Sequence, residues 1–104
     1  MNLYDLQLEV GAWAKQNFPN AEKWEPLLGM GEEVGEINHS FLKLHQGIRT
    51  NEDHATKLKD GIADLLIFTA HFCELNNIDL DSAVILTWAE VRQRNWKANP
   101  ETGK

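Results

Sequence analysis

Two acidic clusters are the residues of this chain best suited to chemistry. The first holds Glu32, Glu33 and Glu36, and the second holds Asp60 and Asp64. Side chains three or four residues apart share one face of a helix, so the members of each cluster lie close together. Carboxylates embedded among apolar residues are costly unless a positive charge neutralises them. Groups of oxygen ligands are typical of sites for hard cations, above all magnesium.

Four helices are predicted to position these clusters, and no stretch alternates with the two-residue period of a strand. Asn51 is a good N-cap for the third helix, and Gly47 is a plausible stop for the second. We therefore expect a single all-α domain over residues 1–104, a bundle of about four helices. The expected helices span roughly residues 3–17, 22–45 and 51–75, with a fourth that starts at Asp79 or Asp81 and continues to about Lys97.

Composition limits the classes of function. The 104 residues carry sixteen acids and ten bases, a net charge of −6, which argues against a protein that binds the nucleic-acid backbone. A nucleotide substrate stays open, because bound divalent cations reverse the local sign of a site. The single Cys73 excludes an internal disulfide and favours a reducing compartment. With no signal peptide and no apolar stretch long enough to span a bilayer, we expect a cytoplasmic protein without a membrane segment.

The third helix is unusually apolar between Ile62 and Phe72. A helix that is apolar on nearly every face is buried on all sides. Four helices of one small protomer are too few to surround it. We therefore expect a second copy of the chain to cover this helix in an obligate homo-oligomer.

The two clusters together resemble a known family. Glu-Glu-x-x-Glu on one helix, followed on the next by an acidic motif ending in Asp, is similar to the pattern of the MazG-like all-α nucleoside triphosphate pyrophosphohydrolases. The pattern continues through residues 63–68, 78–80 and 83–84. The resemblance therefore covers most of the chain, roughly from Phe18 to Trp96.

That resemblance implies a helical bundle that assembles into dimers or tetramers. It also implies hydrolysis of a (deoxy)nucleoside triphosphate between the α and β phosphates, giving the monophosphate and pyrophosphate, as in house-cleaning of the nucleotide pool. The implied cofactor is Mg²⁺, with Mn²⁺ as an alternative. Carried over by residue, Glu33, Glu36 and Asp64 match metal ligands. Glu32 matches the first acid of the motif, a base or a group that orients a ligand, so Glu32 and Glu33 are the candidate catalytic residues.

One departure from the family pattern concerns the second cluster. Many relatives have Glu three residues before the final aspartate, where this chain has Gly61. Asp60, one residue earlier, shares the face of Asp64 and is expected to serve as the ligand instead.

A second departure concerns the fourth helix. Relatives have Lys and Asn where Thr87 and Val91 stand. Basic residues near the end of that helix then become the candidates for phosphate contacts, and Arg94 and Lys97 are assigned to substrate binding.

Two further residues are candidates for substrate binding. Trp24 precedes the first acidic cluster by two helical turns, so its ring is the best candidate to stack on the base. Lys43 continues the stripe of Glu32, Glu36 and His39, within reach of a phosphate, although an ordinary solvated lysine explains it as well.

Two rival interpretations stay open. Di-iron carboxylate bundles carry Glu-x-x-His on two helices, and this chain has one such motif, Glu36 to His39. Neither Asp60 nor Asp64 has a histidine three residues later. The other rival is a non-catalytic helical interaction module with a vestigial site, which Gly61 keeps open.

Overall fold

The computed structural model describes residues 1–104 and contains four α-helices and no strand, which confirms the all-α fold class. None of the helices combines the length and the apolar character needed to cross a membrane. The helices are α1 (Leu3–Asn17), α2 (Glu25–Gln46), α3 (His54–Leu75) and α4 (Leu80–Val91).

Local sequence explains most helix ends. The side chain of Asn2 caps α1 by accepting a hydrogen bond from the Asp5 N–H at 2.8 Å. Helix α2 has Pro26 in its first turn, and it ends at Gly47, whose φ of 66° is the left-handed conformation that favours glycine. Helix α3 begins after Asp53 rather than after the predicted Asn51. The reason is that Asp53 has Thr56 three residues on, whose N–H it accepts at 3.0 Å.

The fourth helix is shorter than predicted, because it ends at Val91 and not near Lys97. Beyond it the Asn95 side chain accepts the Ala98 N–H at 3.0 Å, a local bond that competes with helix. The chain then turns back, and Gly103 packs against the ring of Trp96 with φ at +74°. The end of the chain therefore forms a small turn structure around Trp96.

Helices α2 and α3 form an antiparallel hairpin. The ring of Phe68 lies directly on Gly29, and Ile37 lies against Gly61. Between these two contacts α2 advances by eight residues, whereas α3, which runs in the opposite direction, covers seven. Near the end of α3, the Asn76 side chain donates to the Lys23 carbonyl at 3.1 Å. This register decides which residues of the two acidic clusters face each other.

Helix α1 packs on α3, and a buried glutamine fixes the contact. Gln7 donates to Glu74 Oε1 at 2.8 Å and to the Ile78 carbonyl at 2.7 Å. Its own oxygen accepts the Leu80 N–H at 2.9 Å. One side chain therefore joins α1 to the end of α3 and the start of α4.

The hydrophobic core of one chain is small. Its buried cluster consists of Val10, Ala70, Cys73 and Leu80. The radius of gyration is 17.0 Å, whereas a compact domain of this length has about 13 Å. Helix α4 carries an exposed apolar surface, with Leu86 at 71% exposure. The apolar stretch of α3 is likewise left partly uncovered, at the residues Ile62, Leu66 and Ile67.

Candidate functional site

An open groove of about 510 Å³ runs between α2 and α3. No apolar side chain lines it. Four carboxylates from the two acidic clusters face into it, so the two helices bring the clusters together. The lining residues are Glu32, Gly35, Glu36, His39, Ser40, Lys57, Asp60, Gly61 and Asp64.

The hairpin register arranges the groove in successive turns. Since Ile37 faces Gly61, Asp60 comes level with the turn between Glu36 and His39, and one turn away Asp64 comes level with Glu33. The acids of the two clusters therefore face one another across the hairpin. This convergence is what the sequence predicts for antiparallel helices.

Glu33 is the exception among the acids, because it is buried beneath the groove and only 7% exposed. Its Oε2 atom is inaccessible to solvent and has no hydrogen-bond partner. A β-carbon on Gly61 would lie 3.9 Å from this atom, so Glu33 points from α2 towards α3. A buried carboxylate oxygen without a partner is costly in a folded chain. A proton on this carboxyl or a cation beside it would relieve the cost.

The surroundings of Glu33 disfavour its charged form. Burial raises the pKa of Glu33 above its ordinary value, and the negative charges of Glu36, Asp64 and Glu32 raise it further. A bound cation reverses this effect, because it favours the ionised carboxylate. The cluster is thus electrostatically suited to bind a cation.

A cation site fits the first cluster geometrically. Glu32, Glu33 and Glu36 each offer an oxygen, and the three oxygens lie within 4.8 Å of one another. None of the four groove carboxylates forms an ion pair with a basic side chain of this chain. An all-oxygen donor set without basic partners fits Mg²⁺ or Mn²⁺ better than a soft metal.

The proposed substrate-binding residues lie outside the groove of one chain. Trp24 stands at the start of α2 with an indole that is 56% exposed. The Lys43 ammonium hydrogen-bonds to Gln46 at 3.3 Å. Arg94 lies over the ring of Trp96 at 5.9 Å, beyond α4. Lys97 is also in this terminal segment, so a role for these last two in the groove stays a prediction.

The structure adds two ionisable residues to the groove, Lys57 and His39, that have no assigned role from sequence. Lys57 precedes Asp60 by three residues and Asp64 by seven, so helical spacing alone places it on the same face. This spacing is the sequence signal that could have identified Lys57 as a groove residue. His39 enters the sequence analysis only through the di-iron motif and the stripe that Lys43 continues, and it lines the groove one turn from Glu36.

Comparisons with protein-family models, with curated proteins and with solved structures give no match for this chain.

Proposed function

We propose that this protein is a magnesium-dependent nucleoside triphosphate pyrophosphohydrolase of the MazG-like kind. The observation that carries the proposal is the buried, unpartnered oxygen of Glu33 at the floor of a groove lined by four further carboxylates. A solvated acidic surface does not explain it, because solvated carboxylates are not buried. Convergence of both acidic clusters on one groove supports the same interpretation.

Four carboxylates are the proposed ligands of the metal: Glu33, Glu36, Asp60 and Asp64. Glu33, Glu36 and Asp64 are the principal ligands, with Asp60 taking the place of the glutamate that relatives have at position 61. Bound magnesium would supply positive charge for the phosphates and lower the pKa of a water molecule. Several ligands from one helical hairpin favour a preformed site.

Glu32 is the proposed general base. Its side chain is exposed in the groove, next to the buried Glu33. In the reaction the oxygen of water bonds to the α phosphorus, and the bond from that phosphorus to the bridging oxygen breaks. Glu32 accepts a proton from the water, and pyrophosphate leaves with the electron pair of the broken bond. The other product is the nucleoside monophosphate.

We propose that the working unit is a homo-oligomer, a dimer or a tetramer. The chain exposes 7820 Å², whereas a compact monomer of 11.9 kDa exposes about 5,900 Å². The excess of about 1,900 Å² exceeds the roughly 800 Å² that each partner buries in a standard interface. A second copy of the chain would bury the largest apolar area on α4. Trp24, Arg94 and Lys97 would then reach a groove at a protomer boundary.

A non-catalytic interaction module remains the second candidate, and the exposed apolar surface of α4 favours it. A di-iron bundle would use Glu36 and His39, but the groove contains no second histidine. A panel of ribonucleotides and deoxynucleotides, assayed for pyrophosphate with Mg²⁺ and with a chelator, tests the hydrolase. Release that requires Mg²⁺ supports it, and absence of release from every nucleotide contradicts it. Iron content of the purified protein tests the di-iron bundle.

A further inference from the structure

Lys57 is the one lysine among the residues that line the groove between α2 and α3. It shares the face of α3 that carries Asp60 and Asp64. Its ammonium nevertheless binds Glu52, in the loop before α3, with 3.0 Å between Nζ and Oε1. Neither aspartate lies within ion-pair distance of it. The carboxylates are therefore left free for cations although a lysine stands beside them.

The groove has two chemically different ends. Asp64 and Glu33 form the acidic end, and Lys57 and His39 lie at the other. With a rise of 1.5 Å per residue, Lys57 is about 10 Å along α3 from Asp64. A ligand that carries both a metal-bound group and a free anionic group can therefore lie along the groove in one direction.

The bond between Lys57 and Glu52 is easily exchanged. The two side chains are 53% and 35% exposed, and ion pairs in such positions contribute little to stability. Phosphate oxygens accept strong charge-assisted hydrogen bonds from ammonium groups. A terminal phosphate that enters the groove can therefore compete with Glu52 for this lysine.

We infer that Lys57 binds the terminal phosphates of the substrate at this end of the groove, and that Glu52 holds the lysine there while the groove is empty. The inference rests on the proposed function. It fixes the direction of the substrate, with the α phosphate beside the acidic end and the nucleoside towards the start of α2, where Trp24 lies. Lys57 then neutralises charge that develops on the departing pyrophosphate.

Binding of inorganic tripolyphosphate with Mg²⁺, measured by titration calorimetry, tests this inference without turnover of a nucleotide. We expect Lys57→Gln to weaken this binding about tenfold or more, as loss of a hydrogen bond between charged groups does. Binding of Mg²⁺ alone should stay within twofold of wild type. Lys57→Arg should restore most of the affinity, and Glu52→Gln should bind at least as tightly as wild type.

Lys59→Gln is the matched control, because Lys59 is an exposed lysine of α3 that does not line the groove. Its affinity should equal that of wild type. Equal affinity of Lys57→Gln and Lys59→Gln overturns the inference, and so does a wild-type protein that does not bind magnesium tripolyphosphate. Weaker binding by Glu52→Gln overturns the role of Glu52.

Nucleotide hydrolysis separates this inference from the proposed function. A wild-type protein that binds tripolyphosphate through Lys57 but releases no pyrophosphate from any nucleotide contradicts the proposed function and supports the phosphate contact. An active wild type whose Lys57→Gln variant keeps the same KM and kcat overturns the inference alone.

Discussion

Gly61 of α3 lies directly against Ile37 of α2, because a β-carbon at position 61 would stand 2.9 Å from Ile37 Cγ1. The two helices can approach closely here only because position 61 has no side chain. A larger side chain at this position would have to displace Ile37. The acid next to this contact is Asp60, which precedes Gly61 and lines the groove.

Gly61→Ala should destabilise the protein by about 1 kcal/mol, since overpacking costs about 1–3 kcal/mol and the gain in helix propensity returns about 1. Gly31→Ala is the matched control, because Gly31 is also inside a helix but a β-carbon there meets nothing within 4 Å. That variant should be more stable than wild type by up to about 1 kcal/mol. Urea unfolding of both variants measures the difference, and a Gly61→Ala protein as stable as Gly31→Ala would show that Ile37 moves freely.

Asp60→Asn should reduce kcat/KM for nucleotide hydrolysis nearly as much as Asp64→Asn, by about a hundredfold or more. The reason is that each change removes a charged oxygen from the groove while preserving side-chain shape. Asp81→Asn, on α4 and outside the groove, is the control and should keep normal kinetics. Full activity of Asp60→Asn would mean that the site operates with the carboxylates of α2 and Asp64 alone.

Glu33→Gln should raise the thermal stability of the protein in EDTA at neutral pH. Because the pKa of Glu33 is raised above its ordinary value of 4.5 in the folded chain, the folded chain binds this proton more tightly than the unfolded chain. The free energy of unfolding therefore falls as pH rises from 4.5 through the raised pKa, and this contribution is constant above it. The stability of the Glu33→Gln variant has no such pH dependence. Its Tm should therefore exceed that of wild type by an amount that grows as the pH rises through this range.

The control for this prediction is Glu22→Gln, an exposed glutamate before α2. Its Tm should follow that of wild type throughout. A Glu33→Gln protein that is less stable than wild type at neutral pH without metal would contradict the electrostatic argument. Saturating Mg²⁺ should reverse the order, because the wild-type carboxylate then gains a bound cation that binds the folded state.

Much of this architecture follows from local sequence signals. The four helices, the stop at Gly47 and the shared faces within each acidic cluster are consequences of spacing and capping. The burial of Glu33 is different, because it depends on how α2 and α3 pack, and the glutamates at 32, 33 and 36 look alike in sequence. The turn structure beyond α4 also depends on a packing contact that spacing does not reveal, between Trp96 and Gly103. The ion pair of Lys57 with Glu52 could not be predicted from sequence either, because it depends on how the loop before α3 folds.

Trp24→Ala should raise KM for the nucleotide more than it lowers kcat, because stacking on a base contributes uniform binding. Stacking contributes about 1–3 kcal/mol per base, so kcat/KM should fall roughly five- to a hundredfold. The exposed indole makes unfolding of the variant an unexpected result. Circular dichroism and light scattering of the same sample show whether the variant keeps its fold and its oligomeric state. Loss of the fold or of the oligomer would assign Trp24 to packing instead of stacking.

Hydrolysis in ¹⁸O-labelled water tests the central claim most directly. The products of each nucleotide with Mg²⁺ are separated, and the label is located by mass spectrometry. We expect labelled nucleoside monophosphate and unlabelled pyrophosphate, because water attacks the α phosphorus, and no product from the Glu33→Gln, Asp64→Asn double variant. Absence of magnesium-dependent pyrophosphate from every nucleotide, or label in the pyrophosphate, would contradict the account.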